Sequence, residues 1–114
     1  MTNINALNII DILQLTNGVN DYANFPVTQV NDHMIRTSVM TESFYWHLHP
    51  NSDESFLVIE GSIYIDLEGR TVELSPGQFF TVPKNTPHRT RPRGERSVNI
   101  TFELQNLETI QLNQ

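Results

Sequence analysis

His47, His49, Glu54 and His88 are the most chemically informative residues of this 114-residue chain. The run His47-Leu48-His49-Pro50-Asn51-Ser52-Asp53-Glu54 is followed by Gly61, and a second run leads from Gly77 through Pro83 to His88. The chain has four histidines, and three of them stand in this pattern. Three imidazoles and a carboxylate form a donor set suited to a divalent transition metal. With no cysteine in the chain, a thiolate nucleophile and any cysteine-held zinc or iron–sulfur centre are ruled out. Four protein donors leave a six-coordinate ion two positions for water, dioxygen or a chelating substrate. A tetrahedral zinc would be saturated by the same donors. One Fe, Mn or Ni ion therefore fits best, with Zn as a further possibility, while Ca²⁺ and Mg²⁺ prefer shells made of oxygen.

These donors need elements that aim them at one point. Side chains two apart on a strand share a face, so His47 and His49 project together, away from Trp46 and Leu48. Glu54 opens the next extended segment after a short loop. His88 lies far along the chain, and only a closed tertiary fold brings it in. From Phe25 onward the signals are β: residues 27–30, 33–40, 43–49, 55–59, 63–67, 71–74, 79–82, 88–91 and 98–104 are extended. Turn residues separate them, among them Asn31-Asp32, Glu60-Gly61, Glu68-Gly69 and Ser75-Pro76-Gly77. Residues 55–59 are nearly all apolar and predict a strand buried on both faces. Many short strands at close spacing imply an all-β sandwich or barrel. Residues 1–24 carry Leu7, Ile9, Ile10, Ile12, Leu13 and Leu15, a pattern that fits either a short strand or one or two helical turns.

The two motifs resemble those of the cupin superfamily. The first is matched by His47, His49, Glu54 and Gly61, the second by Gly77, Pro83 and His88. Together they span residues 41–92, and the strand layout extends the likeness over about 25–104. The wording around them is similar to that of small single-domain cupins. The resemblance implies a jelly-roll β-barrel over residues 25–114, with 1–24 packing on the barrel or on a dimer partner. It also implies one metal ion held by the three histidines and the glutamate, and a homodimer. Three positions depart from the family pattern: Thr41 and Asn85 stand where glycine is usual, and Pro92 where asparagine is. None is a ligand, and Asn tolerates the left-handed backbone of a turn.

Alternation then selects pocket walls. Tyr45 shares the face of His47 and His49, and Phe56 and Val58 share that of Glu54. On the last long strand Val98, Ile100 and Phe102 form the apolar set expected to face the lumen. Arg36, Tyr45, Phe56 and Phe102 are the substrate-pocket candidates, with an inward Arg36 suited to an anionic group. Arg89, Arg91 and Arg93 have the parity opposite to His88, so they should form an outward strip against acidic partners. A clamp on an anionic substrate is the competing reading. Asp53 is expected to face solvent or hold its loop, and His33 to lie at the surface. No catalytic base stands out.

The net charge of −6 argues against a nucleic-acid partner. No apolar run reaches the ~20 residues of a membrane span, and the N-terminus lacks the pattern of a secretory signal. A cytoplasmic location is the expectation. The chain reads as a metal-dependent enzyme on a small polar metabolite, with dioxygenase-like chemistry leading. A sugar-phosphate-isomerase-like cupin, or a non-catalytic metal-dependent binding or sensing protein, is the alternative.

Overall fold

The computed structural model describes residues 5–113. One short helix, α1 (Ile12–Thr16), precedes ten strands: β1 (Ala23–Val30), β2 (His33–Met40), β3 (His47–Leu48), β4 (Glu54–Glu60), β5 (Ile63–Leu67), β6 (Arg70–Leu74), β7 (Phe79–Val82), β8 (His88–Pro92), β9 (Ser97–Leu104) and β10 (Ile110–Gln111). They form two antiparallel five-stranded sheets, ordered β1-β2-β9-β4-β7 and β10-β3-β8-β5-β6. This is the jelly-roll arrangement, in which chain neighbours such as β3 and β4 lie in different sheets. β3 and β8 are neighbours within the second sheet, so His88 lies directly opposite His47 in their register, while Glu54 comes from β4 of the first sheet.

The turns carry the special backbone. Asn31 and Asn85 adopt positive φ (53° and 65°), a conformation Asn accepts more readily than most residues. Asn85 thus keeps the turn in the second motif, and its N–H donates to the His49 carbonyl at 2.8 Å. At Gly61 φ is +72°, and a Cβ would stand 2.7 Å from the Arg96 carbonyl oxygen. Gly69 has φ +84° with open space around it. Gly61→Ala should therefore cost about 2–3 kcal/mol in urea unfolding, against about 1 kcal/mol for Gly69→Ala, which carries the backbone strain alone.

One end of the lumen is an apolar core of Phe56, Val58, Ile63, Ile65, Leu74 and Val82, with Leu67, Val72 and Phe80 against it. Residues 55–59 do not form a strand buried on both faces. Phe56 and Val58 are buried, whereas Ser55, Leu57 and Ile59 are half-buried, because the outer face of this sheet is only partly covered.

Among the described residues of the N-terminal segment the helical reading holds. Asp11 caps α1, accepting from the Gln14 N–H at 3.1 Å. Arg96 ties the segment to the barrel, donating to the carbonyls of Thr16 (2.6 Å) and Val19 (2.9 Å) and to Glu60 (2.6 Å). Leu7, Ile9, Leu13 and Leu15 remain exposed. At the other end the tail joins its own barrel, with β10 pairing Ile110 to Leu48 and Gln111 to His47.

The arginine strip lies outside the lumen, as its parity requires. Arg89 and Arg91 both donate to Asp66 at 2.8 Å, Arg91 adding a second bond at 3.1 Å, and Arg93 pairs with Glu73 at 3.2 Å. Arg91 stacks over Tyr64, its guanidinium carbon 4.4 Å from the ring centre. The substrate-clamp reading is thereby set aside: the guanidinium groups close on an aspartate of the neighbouring strand. The Arg91 hydrogen bond, aided by Thr71 and Arg89, holds Asp66 far below the ordinary carboxylate range, against the opposing effect of its burial. A depressed pKa adds stability that is full above the unfolded value near pH 4 and is lost as pH falls below it. Asp66→Ala should cost about 1–2 kcal/mol at neutral pH, a modest figure because both arginines stay about one-third exposed. The loss should shrink below pH 4, which unfolding across pH would check.

Candidate metal centre and its pocket

Each member of the motif is fixed by its own element. His47 sits on β3, His49 one residue beyond it, Glu54 opens β4 and His88 opens β8. All four are buried, and one donor atom from each lies within 4.8 Å of the others. The imidazole orientations are set by the backbone. His47 Nδ1 lies 2.8 Å from the Tyr45 carbonyl, His49 Nδ1 2.9 Å from that of Glu108, and His88 Nδ1 2.8 Å from that of Thr86. A carbonyl only accepts, so each Nδ1 carries the proton and each Nε2 presents its lone pair.

Those lone pairs converge on a carboxylate. Glu54 Oε1 stands 3.1 Å from His49 Nε2 and 3.3 Å from His88 Nε2. Acceptors facing acceptors in a buried site call for a cation, either a proton or a metal ion. The titration behaviour reflects this. Burial would raise the pKa of Glu54, but the His49 and His88 rings, which donate to it when a proton rather than a metal ion occupies Nε2, outweigh burial and bring the carboxyl down to about 2. Burial likewise opposes protonation of His49, yet its bond to Glu54 and that group's charge hold its pKa above the usual value. His47 has no such partner. Burial, with the charges of His88 and His49, lowers it to about 4, leaving a neutral imidazole over the whole physiological range. The chemistry of the donor set therefore fits a transition metal.

Beside the four donors opens a cavity of about 270 Å³. Tyr45 and Phe56 line it, as their alternation suggests, and so does Arg36, whose strand carries apolar residues on both faces and left its direction open. Phe102 does not. On β9 the buried, inward side chains are Ser97, Asn99, Thr101 and Glu103. The register pairs inward Phe56 with Thr101, which turns Val98, Ile100 and Phe102 to the opposite face, where Val98 is fully buried and Ile100 and Phe102 are half-buried. There Phe102 packs on Phe79, ring centres 5.7 Å apart. The rule that the apolar set faces in fails on this strand because the lumen here is a polar pocket.

That inversion brings in residues that sequence reasoning missed, foremost Asn99, Thr101 and Glu103, with Asn24 and Ser38 across the sheet. The only available signal was that the alternate positions of β9 are uniformly polar. Glu103 is raised to about 7, first by burial and then by the Glu54 charge. Asp53 is exposed and holds its loop, accepting from the Lys84 N–H at 2.9 Å, and His33 is exposed beside Asp32.

Comparison with known proteins agrees with this architecture. The family described as "Cupin domain" matches residues 37–102. The uncharacterized protein YdbB of Bacillus subtilis is 40% identical over 102 residues, covering 88% of this chain and 89% of that protein. The quercetin 2,3-dioxygenase of the same organism is 27% identical over 63 residues, 55% of this chain but 19% of the enzyme. Among solved structures, a cupin-2 domain protein from Shewanella frigidimarina superposes with a TM-score of 0.79 at 21% identity, covering 85% of this chain and 95% of that one. The chain belongs to the cupin superfamily. Among the described residues no helix is long and apolar enough to cross a membrane.

Proposed function

We propose that this cupin holds one divalent transition metal, Fe, Mn or Ni, through His47, His49, Glu54 and His88, and acts on a small polar metabolite. The observation that carries the reading is the convergence of three Nε2 lone pairs and a carboxylate oxygen, with every Nδ1 proton already engaged by a backbone carbonyl. A bound ion of this kind supplies Lewis acidity and, where redox-active, dioxygen chemistry. Phe56 and Phe44 give the cavity an apolar side, and Arg36 in its wall is our candidate for holding an anionic group of the substrate.

Dioxygenase-like chemistry is the leading reading, supported by the partial likeness to a quercetin dioxygenase. Isomerase-like proton transfer is favoured by a separate observation. Glu103 lies in the pocket wall with its pKa near neutrality, poised to accept or return a proton. We place the protein in the cytoplasm. We also propose a homodimer through the outer face of the first sheet, where Ile35, Leu57, Ile100 and Phe102 share a side and Phe79 is exposed. A concentration-independent monomer mass would dismiss the dimer.

The deciding test is metal analysis of protein purified without chelators or a metal-affinity tag, followed by oxygen uptake with catechols and aliphatic diols. About one Fe, Mn or Ni per chain with substrate-dependent uptake supports the dioxygenase. Metal without uptake moves the search to aldose–ketose interconversion. Protein that is empty and refuses added metal sinks the proposal.

A further inference from the structure

We propose that the β9 wall of the cavity is a recognition subsite for ligand hydroxyl groups, formed by Asn99 and Glu103. It rests on the metal-site reading above and names the substrate class of that same pocket: a small molecule bearing at least two hydroxyls, a diol or polyol.

The observation is one of unmet hydrogen bonding. Asn99 and Glu103 are only 2% and 3% exposed, and both line the cavity. Among the described residues, three buried side-chain polar atoms have no partner, and Asn99 Oδ1 and Glu103 Oε2 are two of them. Folded proteins rarely leave buried acceptors unpaired, because desolvation then goes uncompensated. Two such atoms on alternate inward positions of one strand, facing one cavity, are explained if a ligand supplies the missing donors. The neighbouring polar groups are already engaged. Thr101 donates to Glu103 Oε1 at 3.2 Å, and Asn24 donates to Ser38 at 2.8 Å.

Hydroxyls fit better than the other donors. An ammonium would have to enter a wall that also holds Arg36, whose charge acts on Glu103. A hydroxyl both donates and accepts, so it meets a carboxylate, a carboxylic acid or either end of an amide equally well. A site built on buried polar groups also discriminates strongly, since a ligand without the hydroxyl leaves those groups unpaired.

The test uses the Mn²⁺-loaded full chain and four probes: cis-1,2-cyclohexanediol, myo-inositol, catechol and D-ribose, each beside its O-methyl ether, by calorimetry. We expect at least one probe to bind in the millimolar range or tighter, and its methyl ether to bind at least tenfold more weakly. Asn99→Leu and Glu103→Met should each weaken that probe at least tenfold while keeping one metal per chain. Both variants should also melt several degrees higher without ligand, because an unpaired buried acceptor has been removed. A loaded protein blind to every probe, variants that bind as well as the parent, or variants that melt lower would each overturn the subsite and leave the metal centre standing. Failure to load Mn²⁺ at all would instead overturn the metal reading on which it rests.

Discussion

His49→Ala should strip the protein of its metal: from about one transition-metal ion per chain to less than a tenth, with affinity for added Mn²⁺ down at least 100-fold. The magnitude follows from how the residue is held. His49 is buried, its Nδ1 fixed by the Glu108 carbonyl at 2.9 Å and by the Thr109 hydroxyl at 3.2 Å, and its Nε2 stands 3.1 Å from Glu54. Removing a group that merely orients a ligand commonly costs ~10–100-fold in metal affinity, so loss of the ligand itself should exceed that. Ser55→Ala is the control, because its hydroxyl pairs with Thr81 on the outer side of β4. The same metal should stabilise the parent, by about 2.7 kcal/mol when free metal is 100 times its dissociation constant. Chelation should therefore lower the parent's melting temperature by several degrees and leave that of His49→Ala almost unmoved. Equal metal content in parent and variant, by elemental analysis of folded protein, would reject the four-residue site.

The second large effect is a pH dependence carried by Glu103. Its carboxyl titrates at about 7 in the fold against 4.5 as an ordinary glutamate. The folded chain therefore takes up a proton as pH falls through 7 that the unfolded chain does not take up until about 4.5. Stability from this group falls as pH rises across that window and levels off above it, by roughly 3 kcal/mol in all. Glu103→Gln cannot titrate. The stability difference between parent and variant, measured by urea unfolding of chelated protein, should shift by about that amount between pH 4.5 and 7, against the parent at the higher pH. Taking the difference matters, because His47, lowered to about 4, contributes a slope of opposite sign below pH 6.5. A flat difference would mean that Glu103 is not a buried, uncompensated acid. Metal should reduce the effect, since part of the rise comes from the Glu54 charge.

Much of this site is legible in the order of the residues. The spacing of His47 and His49 on a strand fixes their common face, and Glu54, Gly61, Gly77, Pro83 and His88 complete a pattern specific enough to give the fold. The outward parity of Arg89, Arg91 and Arg93 follows from the same two-residue period, and Asp66 bears it out. What alternation cannot supply is the sign of a face. On β9 it separates Val98, Ile100 and Phe102 from Asn99, Thr101 and Glu103, but which set turns inward depends on what fills the lumen there.

Sequence alone thus determined the donor types and their local faces, which rest on covalent spacing and strand period, and its resemblance to the cupins implied the jelly-roll that joins them. Tertiary structure alone decided the contents of the pocket. The register of β9 against β4 and β2 turns a polar row into a buried wall, and only that packing leaves Asn99 and Glu103 desolvated with acceptors to fill. Desolvation belongs to the closed barrel: it arises when two sheets exclude water from a shared space, and no property of a single strand anticipates it.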